Sequence, residues 1–105
     1  MICLDKSICP RFEKAMSLLS QRWTGMIIYQ LLSGPHRFCN IEAAIGLSGK
    51  VLSERLKDLE NEGIVKREVY PETPVRIEYS LTDKGIAFEP IMRDIEKWSQ
   101  SWLEA

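Results

Sequence analysis

After Pro10, apolar residues recur at steps of three and four: Phe12, Ala15, Met16 and Leu19 come first, then Trp23, Ile27, Tyr29, Leu31 and Leu32 up to Gly34. That is the spacing of one helical face, so the first third of the chain is predicted to hold two helices, or one with a bend. Between Arg37 and Ile45, the residues Phe38, Ile41, Ala44 and Ile45 give a short amphipathic helix closed by Gly46. Ser48 is a good N-cap for the next helix, which carries Leu52, Leu56 and Leu59 on one face and is stopped by Asn61-Glu62-Gly63. The pattern then changes. "IVKREVY" and "VRIEYSL" are rich in β-branched and aromatic residues and flank "PETP", which predicts a hairpin. From Thr82 onward the chain reads as helix again, with Ile91, Ile95, Trp98 and Trp102 at steps of three and four. Pro90 kinks or restarts that helix, because an interior proline cannot donate the backbone hydrogen bond.

A helix, tight glycine turn and helix feeding a β-hairpin is the layout of a winged helix-turn-helix, a mainly α fold with one hairpin. At about 100° per residue, the buried leucine stripe leaves Lys50, Ser53, Glu54 and Lys57 pointing the other way, where short polar and cationic side chains can enter a major groove. Ser48 opens this helix, Arg55 flanks the stripe within reach of a phosphate, and Lys66, Arg67 and above all Arg76 are placed to follow a neighbouring phosphate backbone from the wing. A solvated surface helix has the same Lys-Glu patterning. The order of the elements is what favours DNA.

Composition narrows this reading. The 105 residues fit one domain spanning 1–105, and the net charge of −1 removes any whole-protein electrostatic argument for nucleic acid, so the case rests on local geometry. Apolar runs such as Met26-Ile27-Ile28 are far too short to span a bilayer, and the first residues lack an export pattern. Three cysteines without regular spacing speak against a disulfide framework and for a reducing compartment, hence the cytoplasm. Cys3, Cys9, His36 and Cys39 add up to a zinc-like donor set, but they lack the paired spacing of such sites, so neither metal nor cofactor is expected. His36 reads as a turn residue or a phosphate contact. No nucleotide-binding, nucleophile-elbow or zinc-protease motif occurs, and the chain reads as a non-enzyme. Thiol chemistry at Cys9 with His36 as base would be the one catalytic option.

"CPRFEKAMSLLSQRWTGMIIYQLLSGPHRF", followed by "LSGKVLSERLKDLENEGIVKREVYPETPVRIEYSLTDKG", resembles the HxlR-type branch of MarR-like transcriptional regulators. The shared features are the Cys-Pro start, Arg22-Trp23, the Gly-Pro-x-Arg-Phe turn, the L-x-x-R-L-x-x-L helix and the wing ending in Thr-x-x-Gly, in that order. "PETPV" and the segment after Cys9 are most similar to YodB-type repressors that respond to quinones and diamide. The resemblance implies a homodimer joined through its N- and C-terminal helices, bound to a pseudo-palindromic operator in double-stranded promoter DNA. The apolar stripe from Ile91 to Trp102 is compatible with that interface.

The same resemblance places an electrophile- or oxidant-sensing thiol at Cys9. Independently, if Pro10 is the first helical residue then Cys9 is the N-cap, at the positive end of the helix dipole, with Lys6, Arg11 and Lys14 close by. That setting favours the thiolate, the form that attacks electrophiles. Cys39, between Phe38 and Ile41, reads as partly buried packing, and Cys3 lies in the N-terminal tail. Some family members place a partner cysteine near the C-terminus, and this chain has none after Cys39. Direct S-alkylation is therefore favoured, or a bridge from Cys9 to Cys3, to Cys39 or to Cys9 of the partner subunit. Two other readings stay open: a winged-helix regulator without thiol sensing, and a dimeric interaction module that does not bind DNA.

Overall fold

The structure, a computed structural model, describes residues 9–104. Cys3 and Lys6 lie outside that range. Helix α1 (Pro10–Ser20) begins as its Cys-Pro start dictates: Cys9 holds the non-helical N-cap conformation and Pro10 occupies the first turn, where its missing N–H leaves no bond unmade. The chain then turns sharply. Gln21 is extended and Trp23 adopts φ 77°, a left-handed conformation, before α2 (Thr24–Leu31) starts. Of the two sequence alternatives, separate helices are therefore formed, and α2 sends Ile27, Ile28 and Leu31 into the core.

Gly34 lets the chain reverse at φ 124°, and His36 then pairs with Tyr79 through two backbone hydrogen bonds of 2.9 and 2.8 Å. This single-residue bridge stitches the α2–α3 connection to the hairpin. Helix α3 (Phe38–Ile45) ends at Gly46, again left-handed, and α4 (Gly49–Asn61) starts under a Ser48 cap whose hydroxyl accepts from Val51 N at 3.3 Å. Leu52, Leu56 and Leu59 are buried, as the stripe requires.

Strands β1 (Val65–Tyr70) and β2 (Arg76–Leu81) pair antiparallel, with Arg67 opposite Tyr79 and Glu68 opposite Glu78. Side chains alternate between faces, so Val65, Val69, Ile77, Tyr79 and Leu81 share one face with Arg67, while Lys66, Glu68, Tyr70, Arg76 and Glu78 share the other. The final helical region divides into α5 (Asp83–Ile86) and α6 (Glu89–Trp102), with Pro90 at the start of α6: the proline restarts the helix rather than kinking it.

The Thr-x-x-Gly sequence makes the joint between wing and α5. The Thr82 hydroxyl donates to the carbonyl oxygens of Gly63 and Ile64 at 2.5 and 3.2 Å and accepts from Gly85 N. A Cβ on Gly85 would collide with the Ile64 carbonyl oxygen, so only glycine fits.

Two elements stand away from the core. No residue of α1 is buried, and α6 buries only Met92. The molecule measures 57 × 33 × 23 Å with a radius of gyration of 15.7 Å, above the roughly 13 Å of a compact chain of this length. Trp98 and Trp102 of α6 are 56% and 75% exposed, and Phe12 and Met16 of α1 and Ile91 and Ile95 of α6 are exposed as well.

Candidate functional site

The outward face of α4 is built by its phase. Once the three leucines face inward, Lys50, Ser53, Glu54 and Lys57 are exposed together over two helical turns. Among the described residues neither Lys50 nor Lys57 forms an ion pair, so both ammonium groups stand ready for an anion. Ser48 sits at the head of the same helix. Its oxygen caps Val51 N, and the hydroxyl still has its proton to donate.

Arg55 and Arg76 each have partners within the chain. Arg55 is half-buried and its Nε donates to the Arg22 carbonyl oxygen at 3.0 Å, which draws the side chain toward the α1–α2 turn and away from the phosphate contact expected of it. Arg76 is enclosed on its own strand face. Its guanidinium binds Glu72 at 2.8 Å and Glu78 at 2.5 Å and lies 4.0 Å from the centre of the Tyr70 ring. Those hydrogen bonds, Glu72 first, push its pKa above the usual arginine value. Two carboxylates already compensate this charge. Lys66 is likewise 3.5 Å from Glu68.

Arg67 is the wing cation left over. It is exposed on the opposite face and has no ion pair among the described residues. Arg37, the exposed N-cap of α3, is a second cation that the motif reading passed over, although the Gly-Pro-x-Arg-Phe turn contains it. His36 serves the fold: its Nδ1 lies 2.7 Å from the Gly34 carbonyl oxygen while its backbone pairs with Tyr79.

Cys9 is half-buried at the N-cap of α1, where its carbonyl accepts the first helical bond, from Glu13 N at 2.9 Å. Arg11 and Lys14 are exposed on the first turns of the same helix. Cys39 does not pack inside as expected. It is exposed, with Sγ 3.7 Å from Asn40 Oδ1, because two residues correspond to about 200° of helix and Ile41 occupies the core side. Among the described residues no group of three or more His, Cys, Asp or Glu is placed to hold a metal ion, and no helix is long and apolar enough to cross a membrane.

Between α1, α2, α3 and α6 lies an open apolar groove of about 460 Å³, lined by Leu19, Met26, Ile45, Met92 and Ile95. Tyr29 closes one side by donating its hydroxyl to Glu96, with the Arg93 guanidinium 5.6 Å from its ring centre. The hydrogen bond to Glu96 raises the Tyr29 pKa above 10.

A helix-turn-helix with a hairpin wing is shared by many regulators, and sequence comparison narrows it. The profile of the HxlR-like helix-turn-helix family matches residues 18–105. The chain belongs to this family. The HTH-type transcriptional regulator YvaP of Bacillus subtilis (strain 168) is 63% identical over 101 residues, covering 95% of this chain and 94% of YvaP. Among solved structures, the reduced form of the transcriptional regulator YodB from B. subtilis is 45% identical, with a TM-score of 0.82 over 93% of this chain and 97% of that one. Quinone-bound YodB from B. subtilis is 41% identical, with a TM-score of 0.79 over 90% and 100% of the two chains. These relatives are transcriptional regulators. As an HxlR-like protein the chain has the winged helix-turn-helix architecture that its sequence predicts.

Proposed function

We propose that this HxlR-like protein is a homodimeric repressor that binds a pseudo-palindromic operator and releases it when Cys9 is modified by a quinone or another thiol-reactive electrophile. The observation that carries the DNA reading is the exposed Lys50-Ser53-Lys57 face of a capped helix that follows a tight turn and precedes a wing. Lys50, Ser53 and Lys57 enter the major groove, and Ser48 and Arg37 bind phosphate at the heads of α4 and α3. Arg67 replaces Arg76 as the wing contact, because Arg76 would first have to give up two carboxylates.

Dimerisation follows from the apolar surface. The exposed stripes on α1 and α6 run into the groove between α2 and α6, and a second copy of the chain would cover all three surfaces at once. Two recognition helices then address half-sites about 34–36 Å apart, one turn of DNA.

The sensing step is a conjugate addition. The Cys9 thiolate attacks a quinone ring carbon bearing hydrogen, an S–C bond forms, and the displaced π electron pair passes to a carbonyl oxygen that takes up a proton; the C–H bond at the attacked carbon then breaks, its electron pair restores the aromatic ring, and the second oxygen is protonated, leaving a hydroquinone thioether. No further oxidant is needed. Helix dipole, Arg11 and Lys14 all favour the thiolate. Quinone-bound YodB shows that a related regulator takes up such an electrophile. The other thiol outcome is a disulfide from Cys9 to Cys3, to Cys39 or to Cys9 of the partner subunit, in which a quinone takes the two electrons and two protons of the thiols and leaves as the hydroquinone.

Titration against the DNA upstream of the protein's own gene, at two salt concentrations and with unrelated competitor DNA, tests the binding half of the proposal. Specific, salt-sensitive binding is expected. Equal affinity for competitor and promoter fragments across several candidate operators would leave an interaction module without DNA specificity.

A further inference from the structure

The turn between α1 and α2 is tied to the recognition helix at successive turns of that helix. Arg55 Nε donates to the Arg22 carbonyl oxygen at 3.0 Å, and Gln21 Nε2 donates to Asp58 Oδ2 at 3.5 Å. The turn is itself braced. The Gln21 N–H donates to the Leu18 carbonyl oxygen, its Oε1 accepts from the Thr24 hydroxyl at 3.3 Å, and Thr24 is buried. The Arg22 guanidinium lies 4.6 Å from the centre of the Trp23 ring, next to the residue in the left-handed conformation.

The rest of α1 lies on the surface. None of its residues is buried; Leu18 and Leu19, in its last turn, pack against the core, and Arg11, Lys14 and Ala15 line a shallow cavity with Glu62, Lys84 and Phe88. Eleven residues make a rod of about 16 Å. Cys9 stands at one end of it, and the other end is hydrogen-bonded to α4.

We propose that Arg55 is a positioning residue rather than a phosphate ligand: with Gln21 it couples the orientation of α1 to the recognition helix. This proposal rests on the reading of Cys9 as the sensor. An adduct enlarges the N-cap and tilts the rod, the braced turn moves as a unit, and its bonds to Arg55 and Asp58 shift the adjoining Glu54 and Lys57 on the DNA face. The inference uses the geometry of arginine. Nε donates from the stem of a planar fork, whereas lysine carries only a terminal ammonium. Arg55→Lys therefore keeps the charge that a phosphate contact needs and removes the bond that coupling needs.

The test uses full-length protein carrying Cys3→Ser and Cys39→Ser, alkylated at Cys9 with N-ethylmaleimide, with backbone amide shifts of α4 followed by NMR. Alkylation is expected to shift α4 amides in protein retaining Arg55, and to shift them at least twofold less in Arg55→Lys and Gln21→Ala. Amides that do not respond, or that respond equally in all three proteins, would overturn the proposal. Salt dependence of DNA binding supplies a second reading. A phosphate ligand lost in Arg55→Ala should lower the slope of log K against log salt by about 0.9, whereas a positioning residue leaves the slope unchanged. Absence of DNA binding by the wild type would defeat the regulator reading alone, and the amide shifts would still decide the coupling.

Discussion

Replacing Trp98 by alanine should dissociate the proposed dimer while leaving the protomer folded. Trp98 projects from α6 and is 56% exposed in the single chain, so little of the protomer's own core depends on it. An indole side chain buries up to about 250 Å² when fully covered, so a partner has roughly 140 Å² left to cover. At about 25 cal/mol per Å², that is roughly 3.5 kcal/mol per side. A two-fold interface repeats every contact, so the dimer loses about 7 kcal/mol as an upper bound. Half of that would still weaken association by more than about a hundredfold. Sedimentation velocity across a concentration series should show wild type at twice the 12.1 kDa chain mass and Trp98→Ala at the chain mass, with unchanged far-UV circular dichroism. A wild type that sediments as a monomer at tens of micromolar, or a variant that dimerises as tightly as wild type, would refute the assignment of α6 to the interface.

Other expectations follow from the same geometry. Lys57→Ala should weaken operator binding and lower the salt-dependence slope by about 0.9 without loss of thermal stability, measured by anisotropy titrations at several salt concentrations. Gly85→Ala forces a Cβ against the Ile64 carbonyl and should cost about 1–3 kcal/mol, seen as a lower denaturation midpoint in urea. The Tyr29 phenol, held protonated by Glu96, has a folded pKa above its unfolded value, so its hydrogen bond stabilises α6 docking below pH 10 and is lost as pH rises through the raised pKa. Tyr29→Phe should remove amplitude from the late part of the ultraviolet phenolate titration, above the ordinary phenol range, and a loss confined to the ordinary range would contradict the Tyr29–Glu96 bond.

The helix-turn-helix was legible because its boundaries are written locally. Ser48 caps its own helix, Gly46 and Gly63 supply left-handed turns, and the leucine phase of α4 exposes Lys50, Ser53 and Lys57 without reference to anything distant. Features that depend on contacts between distant segments were not legible. The bond from Arg55 to Arg22 spans 33 residues, and the His36–Tyr79 bridge joins a loop to a strand. The enclosure of Arg76 was half-legible: Glu78 shares its strand parity, but the ring of Tyr70 opposite it follows only from the hairpin register. Cys39 was misplaced by composition, since an apolar neighbourhood in sequence suggested burial while the helical phase set by Ile41 turns it outward.

Operator affinity measured by fluorescence anisotropy, with and without one equivalent of benzoquinone per thiol, for wild type and Cys9→Ser, tests the DNA face and the thiol together. Both proteins should bind tightly, with binding lost on quinone treatment in wild type and retained in Cys9→Ser. Release that persists in Cys9→Ser, or wild-type binding indifferent to the quinone once mass spectrometry shows the Cys9 adduct, would contradict the sensing role of Cys9.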